Sequence, residues 1–361
     1  PDVVAVHRVD LGAASGRRPA RAVGMRLRTA ARGAGFRARR AGRAVRGVVA
    51  TELDRILYRA GRADLALFHE FSPPPYGGGN QFLLALRGEL ERRGLEVEVN
   101  RISGETPTCL VNSFNFDFHR LRRLDRPDCR IVHRVDGPIG VYRGFDDGTD
   151  ARIAAVNAER ADATIVQSRF SLEAHRALGI ELRDPVVVPN AVDPRIFSPP
   201  KTREPLSGRA VRLIATSWSD NPRKGSEILE WLDRNLDPDR FALTLLGRFS
   251  GSYEHARVLA PVPSEAVADE LRRNDLYIAA SRNDPCSNAL LEALACGLPA
   301  VYLDSGGHRE LVGEAGLPFT EKEELPELLE RLVDELEERR AAITVPPLED
   351  VASRYLEVLR P

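Results

Sequence analysis

The chain has 361 residues and a net charge of -1, with 43% hydrophobic and 29% charged residues. This length favours two domains, and the composition is typical of a globular protein with a large core. The nearly neutral charge predicts no nucleic-acid partner, and no apolar run approaches the ~18 residues of a membrane-spanning helix.

Four cysteines are spread widely along the chain, at Cys109, Cys129, Cys286 and Cys296. They form no CxxC pair and no ligand cluster, so we expect reduced thiols and no metal site. The early chain also lacks the apolar segment of a secretory signal. These features predict a cytoplasmic protein.

Residues 1–62 form a basic extension, with fifteen arginines and four acidic residues. Its net charge of +11 leaves -12 on the remainder of the chain. We expect it to be largely helical. Two interpretations stay open: an amphipathic segment lying on an anionic membrane surface, at its inner face, or a solvated or partly disordered extension.

Strands alternate with helices over 63–200, which predicts a domain with a parallel sheet wrapped by helices. The first strand, 65–69, leads into a proline- and glycine-rich loop and a helix over 81–93. The other predicted elements are strands at 95–99, 108–111, 130–135, 163–167 and 186–188, and helices at 114–124, 150–159 and 170–178.

A proline-rich stretch after Pro189 breaks this alternation and predicts a linker reaching residue 207. A second domain of the same kind is predicted over 201–345, and a final helix over 346–361 is expected to pack back on the first domain. The elements of the second domain are strands at 211–215, 242–246, 257–260, 276–280, 300–303 and 317–319, and helices at 225–235, 264–273, 308–312 and 322–341. A further helix follows the strand 276–280; Asp284 or Ser287 can cap its start, and Gly297 and Pro299 end it. The predicted fold is therefore α/β, with two doubly wound Rossmann-like domains facing across a cleft.

Two stretches of the first domain lie where ligands bind in such sheets, beyond the carboxyl ends of strands. Gly78 and Gly79 precede a helix, so the backbone can approach a ligand, although a flexible turn explains them equally well. His133 and Asp136 end the strand 130–135 and are candidate catalytic residues. Because they are three residues apart, an extended strand points them in opposite directions. Arg134 could hold a phosphate or pair with Asp136.

Two stretches of the second domain supply charge. Arg223 and Lys224 precede a helix, as in a phosphate site, although a solvated basic turn is the commoner case. Asp284 and Glu292 lie eight residues apart, in a loop and on the apolar helix that follows it. Between them, the amides of Ser287, Asn288 and Ala289 open towards a helix N-terminus that favours a diphosphate. Carboxylates suit sugar hydroxyls, because each oxygen accepts a hydrogen bond.

Together these motifs resemble the GT-B glycosyltransferases, specifically the retaining group called family 4. The stretch Asp284–Gly297 is similar to that family's E-x7-E signature, with Asp in place of the first Glu. The resemblance covers residues 64–361 and extends to Val188–Asp193 and Ala300–Leu311.

This resemblance implies transfer of a sugar from a nucleotide-diphosphate donor, with UDP, GDP and dTDP all open, to an acceptor it does not identify. It also implies retained anomeric configuration and no metal or other cofactor. Glu292 would bind the ribose, Asp284 the sugar, and Lys224 the leaving phosphates, with the first domain binding the acceptor. Gly78 and Gly79 would admit donor and acceptor.

The chain departs from the family at Ser219, where an Arg is usual. Arg223 or Arg248 could replace that Arg. The family's histidine in the first domain could correspond to His133, or Asp136 could serve instead. Two alternatives stay open: an inverting GT-B transferase or sugar-nucleotide epimerase, and a non-catalytic sugar-nucleotide-binding protein of the same fold.

Overall fold

The computed structural model describes residues 61–73, 77–124 and 126–360. Two α/β halves, each built on a six-stranded parallel sheet, account for most of these residues. The predicted fold class is thus confirmed. The helical extension predicted over 1–62 falls almost wholly outside the described residues.

The N-terminal half has the strand order β2-β1-β3-β4-β5-β6. The order reverses between β1 and β3, so the loops after these two strands diverge and leave a crevice. The strands are β1 Leu65–Phe68, β2 Val97–Val99, β3 Thr108–Asn112, β4 Arg130–Val135, β5 Ala163–Val166 and β6 Pro185–Val187, and the helices are α1 Gly78–Arg92, α2 Phe118–Leu124, α3 Ile139–Arg143, α4 Thr149–Arg160 and α5 Arg169–Ala177.

The C-terminal half repeats this plan with the order β12-β11-β10-β7-β8-β9, and its crevice opens between β7 and β10. The strands are β7 Val211–Ser217, β8 Phe241–Gly247, β9 Arg257–Leu259, β10 Leu276–Ala279, β11 Ala300–Leu303 and β12 Gly316–Phe319, and the helices are α6 Ser226–Asn235, α7 Ser264–Arg272, α8 Asn288–Ala295, α9 His308–Val312, α10 Leu325–Asp334 and α11 Leu336–Ala341.

Central strands are buried on both faces, which explains their continuous apolar sequences. All four residues of β1 are buried, as are all four of β10. Their side chains alternate between two apolar layers, one under each set of helices. In each sheet, the polar residues that follow such strands therefore emerge at the edge formed by the carboxyl ends of the strands, where the crevice of that half lies.

The last helix, α12 Leu348–Leu359, packs on the N-terminal half. Tyr355 is fully buried against Phe82 of α1, with ring centroids 5.8 Å apart. The other apolar residues of α12 belong to the same hydrophobic core of the N-terminal half. The chain therefore crosses between the halves twice.

The two halves contact each other along the cleft. The carboxylate of Glu310 on α9 accepts hydrogen bonds from the backbone N–H groups of Arg169 and Phe170, at 2.8 and 2.9 Å. These N–H groups open the first turn of α5, where a carboxylate is stabilised by the helix dipole. Gly137, after β4, approaches Pro285 so closely that an added Cβ would lie 2.8 Å from it.

Three element predictions differ from the structure. The helix predicted over 114–124 begins only at Phe118, because Ser113 has a positive φ of 50° that turns the chain out of β3. The helix predicted over 322–341 is broken into α10 and α11 at Glu335. The five-residue helix α3 was not predicted, since one turn leaves no apolar periodicity to detect.

Within the described residues, no helix is both long and apolar enough to cross a membrane. The four cysteines are all buried and form no disulfide bond.

Candidate active site

Lys224 and Asp284 form an ion pair between the loops that follow β7 and β10. Lys224 follows β7, Asp284 follows β10, and the two strands are neighbours, so their loops meet. Lys224 Nζ lies 2.7 Å from Asp284 Oδ2. Burial opposes ionisation of Asp284, but Lys224, with His308 and the amide of Cys286, outweighs it and lowers the pKa of the carboxyl group. The Asp284 carboxyl group therefore stays ionised at neutral pH.

The Lys224 loop needs a glycine immediately after it. Gly225 has a φ of 83°, and an added Cβ would lie 2.3 Å from the carbonyl oxygen of Ala280. Only glycine combines this backbone angle with such close contact. The sharp turn begins α6 and directs Lys224 towards the loop after β10.

The N-terminus of α8 presents unused backbone donors. Ser287 caps the helix, its hydroxyl accepting a hydrogen bond from the amide of Leu290 at 3.4 Å. The amides of Ser287, Asn288 and Ala289 have no acceptor among the residues that the structure describes. These donors lie at the positive end of the helix dipole, which favours an anion there.

Glu292 lies one turn along α8 from Asn288, without a side-chain partner in the described chain. The residue is partly exposed to the cleft, but the surrounding protein shields its carboxyl group from water. This burial raises the pKa of Glu292 to about 8. A carboxyl group left unpaired in such surroundings is characteristic of a ligand site.

Glu292 separates two cavities of about 100 and 240 Å³. The smaller follows the ends of β7 and β8, and the larger lies between α1 and the linker. Both share Gly78, Gln81, Ser264 and Glu292. The smaller is also lined by Gly77, Thr216, Ser217, Trp218, Leu246, Gly247, Pro261, Val262, Val267 and Ala289.

Two arginines at the cleft have no acidic partner in the described ranges, namely Arg223 and Arg248. The Arg223 side chain lies against Gly144 of the opposite half. Arg248 is exposed and stacks over the ring of Trp218, with 4.6 Å from Cζ to the centroid. Ser219 makes hydrogen bonds only within its own loop. An Arg is usual at this position in the family that the sequence resembles.

Gly78 and Gly79 begin α1 but have different surroundings. An added Cβ on Gly78 would lie 2.5 Å from Cβ of Asn288, whereas one on Gly79 would meet nothing within 4 Å. Gly78 lines both cavities and Gly79 lines neither. The structure thus brings Gly78, and not Gly79, close to α8.

His133 lies away from the cleft. It is fully buried, its Nε2 is 2.9 Å from the carbonyl oxygen of Ser113, and its Nδ1 is 3.3 Å from the side-chain nitrogen of Asn157. Burial lowers the pKa of His133 to about 4, so the ring is neutral at pH 7. Both ring nitrogens are occupied, and we therefore leave His133 out of the site.

Asp136 faces the cleft from the N-terminal half, with its side chain 22% exposed. Its Oδ1 accepts from Arg134 Nη1 at 2.8 Å and also from Gln167. Of the two roles open to Arg134, the structure shows the pair with Asp136. Arg134 is fully buried and cannot reach a ligand.

Among the described residues, no three His, Cys, Asp or Glu side chains converge in an arrangement that could hold a metal ion. Lys224, Arg223, Arg248 and the backbone amides at the start of α8 could bind a negatively charged ligand.

Similarity to known proteins agrees with this geometry. No curated protein sequence matches the chain significantly. Residues 238–337 match the family described as glycosyl transferases group 1. That segment includes Asp284, Glu292 and Arg248.

Several solved structures share the fold. Sucrose-phosphate synthase from Thermosynechococcus elongatus is 16% identical, with a TM-score of 0.65 over 82% of this chain and 98% of that chain. Anabaena HepE, solved with UDP-glucose, is 15% identical, with a TM-score of 0.57 over 82% and 95%. The catalytic domain of Arabidopsis thaliana starch synthase IV, bound to ADP and acarbose, is 12% identical, with a TM-score of 0.61 over 82% and 98%.

The chain has the GT-B fold. At these identities the likeness concerns the fold alone, and the residues of the cleft have to be argued from their own geometry.

Three cleft residues of this GT-B chain escaped the sequence analysis. Trp218 follows β7 and lines the smaller cavity, which its position after a buried strand could have indicated. Tyr142 lies on the short α3, and burial, with the carboxylates of Asp136 and Asp284, raises the pKa of its hydroxyl. Asn190 contacts Asn288 across the two halves, and no pattern in the sequence signals that contact.

Proposed function

We propose that this chain is a glycosyltransferase that moves a sugar from a nucleoside diphosphate sugar to an acceptor, with retention of anomeric configuration and without a metal ion. In this proposal the C-terminal half binds the donor and the N-terminal half binds the acceptor. The match to glycosyl transferases group 1 and the GT-B fold support it.

One observation carries the proposal. The ionised Asp284, three free amides at the start of α8 and the unpaired Glu292 follow one another along a single wall of the cleft. This order suits a ligand with sugar hydroxyls at one end, a diphosphate in the middle and ribose hydroxyls at the other. A nucleoside diphosphate sugar has this arrangement.

The chemistry follows from charge. Lys224, the amides of α8 and the unpaired Arg223 and Arg248 would surround the diphosphate, whose negative charge grows as the glycosidic bond breaks. Donors held in place before the reaction stabilise that charge without reorganisation. These protein cations are the basis for proposing that no metal is required.

Retention is supported by the state of Asp136. Its carboxylate, on the acceptor side, already accepts hydrogen bonds from Arg134 and Gln167 and is held in place by them. An inverting transferase needs a free base there. We assign Asp136 to contact with the acceptor or the donor sugar.

The nucleotide, the sugar and the acceptor are not specified by these residues. Contact of the basic extension with an anionic membrane surface, and a cytoplasmic location, stay predictions that rest on the sequence.

The proposal is tested by measuring the affinities of UDP, GDP, dTDP and ADP by calorimetry. We expect Glu292→Ala to weaken the best of them by ~10-fold or more, because the ribose hydroxyls lose the carboxyl group that hydrogen-bonds to them. Glu314→Ala is the matched control, since that carboxylate is 91% exposed on the same half. An affinity for Glu292→Ala equal to that of the wild type would refute the assignment.

A further inference from the structure

Arg134 on β4 is a completely buried cation that serves no ligand. Its Nη1 donates to Asn112 Oδ1 at 2.6 Å and to Asp136 Oδ1 at 2.8 Å. Its guanidinium also lies over the ring of Phe82 on α1, with 5.1 Å from Cζ to the centroid. Burying a charge is costly unless hydrogen bonds satisfy it, so this one is held by several elements of the N-terminal half.

A hydrogen-bonded chain leads from Arg134 to the donor-side helix. Arg134 Nη2 donates to Asn190 Oδ1 at 2.9 Å, and Asn190 Nδ2 donates to Asn288 Oδ1 at 3.0 Å. Asn190 is fully buried in the linker, and Asn288 is the first residue of α8. Three side chains thus connect the N-terminal sheet with the helix that carries Glu292.

The direction of this chain is fixed by Arg134. A guanidinium can only donate, so it must face the oxygen of the Asn190 amide. The nitrogen of that amide then faces Asn288, which must answer with its own oxygen. The remaining nitrogen of Asn288, Nδ2, is left over with two hydrogens to donate.

Asn288 Nδ2 lies beside Gly78 at the N-terminus of α1. It has no acceptor in the described part of the chain, and it would lie 2.6 Å from a Cβ on Gly78. Asn288 and Gly78 both line the larger cavity beside Glu292. Because Gly78 has no side chain, no atom at that position covers Asn288 Nδ2.

We propose that Arg134 and Asn190 are positioning residues that orient the side chain of Asn288, so that its Nδ2 donates to a diphosphate oxygen of the bound donor. The inference rests on the proposed function. It adds a side chain that donates a hydrogen bond to the diphosphate and whose orientation is set from the opposite half. A reversed amide would present an oxygen to the diphosphate and repel it.

Asn190→Asp tests the direction of the chain without removing it. The new carboxylate still accepts from Arg134, but it cannot donate, so the Asn288 amide must reverse to donate Nδ2 to it. The fold keeps both hydrogen bonds, and the melting temperature should be maintained. We expect the affinity for the best-binding nucleoside diphosphate to fall ~10-fold or more, and that for the corresponding nucleoside, which lacks phosphate, to change less than ~2-fold.

A double variant separates the amide reversal from the added negative charge. If Asn190→Asp acts through Asn288, it should have no further effect on diphosphate affinity in an Asn288→Ala background. Asn274→Asp is the control, because this buried amide lies away from the cleft. Its Nδ2 donates to the carbonyl oxygen of Glu270 at 2.8 Å. It should lower the melting temperature and leave diphosphate affinity unchanged.

The inference fails if Asn190→Asp binds the nucleoside diphosphate as the wild type does, if the losses in the double variant multiply, or if nucleoside affinity falls equally. If the wild type binds none of the four nucleoside diphosphates, the proposed function fails and the inference falls with it.

Discussion

Glu292 is the residue whose chemistry is most sensitive to its surroundings. In the unfolded chain its carboxyl group ionises near pH 4.5, whereas burial in the cleft raises its pKa to about 8. The folded state therefore holds a proton that the unfolded state has lost between these values. The stability linked to this group is fully present below pH 4.5 and is lost as the pH rises through 8.

Glu292→Gln should remove this dependence, because the amide mimics the protonated acid at every pH. We predict similar melting temperatures for variant and wild type at pH 4, and a variant that melts higher at pH 9. In a domain of this size, the melting temperature changes by about 2–4 °C for each kcal/mol of change in the free energy of unfolding. Scanning calorimetry at both pH values measures the difference, and parallel curves for the two proteins would show that the carboxyl group is ordinarily solvated.

The sequence could place Lys224 and Asp284 in loops after strands, and Glu292 on a helix, because the apolar patterns of these elements are local. It could not decide between His133 and Asp136. Strand geometry states that they point in opposite directions, but which face meets the cleft depends on the packing of α4 and α5 behind the sheet. The structure turns His133 towards Asn157 of α4 and leaves Asp136 at the edge.

At the scale of elements, the contact of α1 with α8 sets the width of the cleft. Gly78 allows this contact, since any side chain there would overlap Asn288. Gly79, one residue along the same helix, faces open space. The two adjacent glycines therefore form a matched pair for testing the contact.

Gly78→Ala should push α1 away from α8, at a cost of ~1–3 kcal/mol for an overpacked contact, and should weaken nucleoside diphosphate binding. Gly79→Ala should be neutral or stabilise the helix by at most ~1 kcal/mol. Urea unfolding and calorimetric titration of both variants measure these effects. Equal behaviour of the two variants would mean that the helices do not meet as described.

Most strands and helices could be predicted because their apolar periodicity is local. The boundaries that failed depend on features without such a pattern. The delayed start of α2 follows from a positive φ at Ser113, and α3 is a single turn held by the Asp150 carboxylate, which accepts from the amides of Ile139 and Gly140.

At the scale of the whole molecule, function depends on bringing two similar halves together. Glu310, Asn190 and Gly137 all make contacts between them. None of these contacts could be read from the sequence, because each joins residues about a hundred positions or more apart. Closing such a cleft removes water and strengthens the electrostatic interactions inside it.

We propose that this cleft transfers a sugar. The proposal is tested by ³¹P NMR of the wild type incubated with the nucleotide sugar that binds best and a series of acceptor sugars, with and without EDTA, and of Lys224→Met in parallel. We predict release of nucleoside diphosphate by the wild type, undiminished by EDTA, and little release by the variant. A donor that binds to the wild type yet stays intact with every acceptor sugar tried would contradict the claim and indicate a sugar-nucleotide-binding protein.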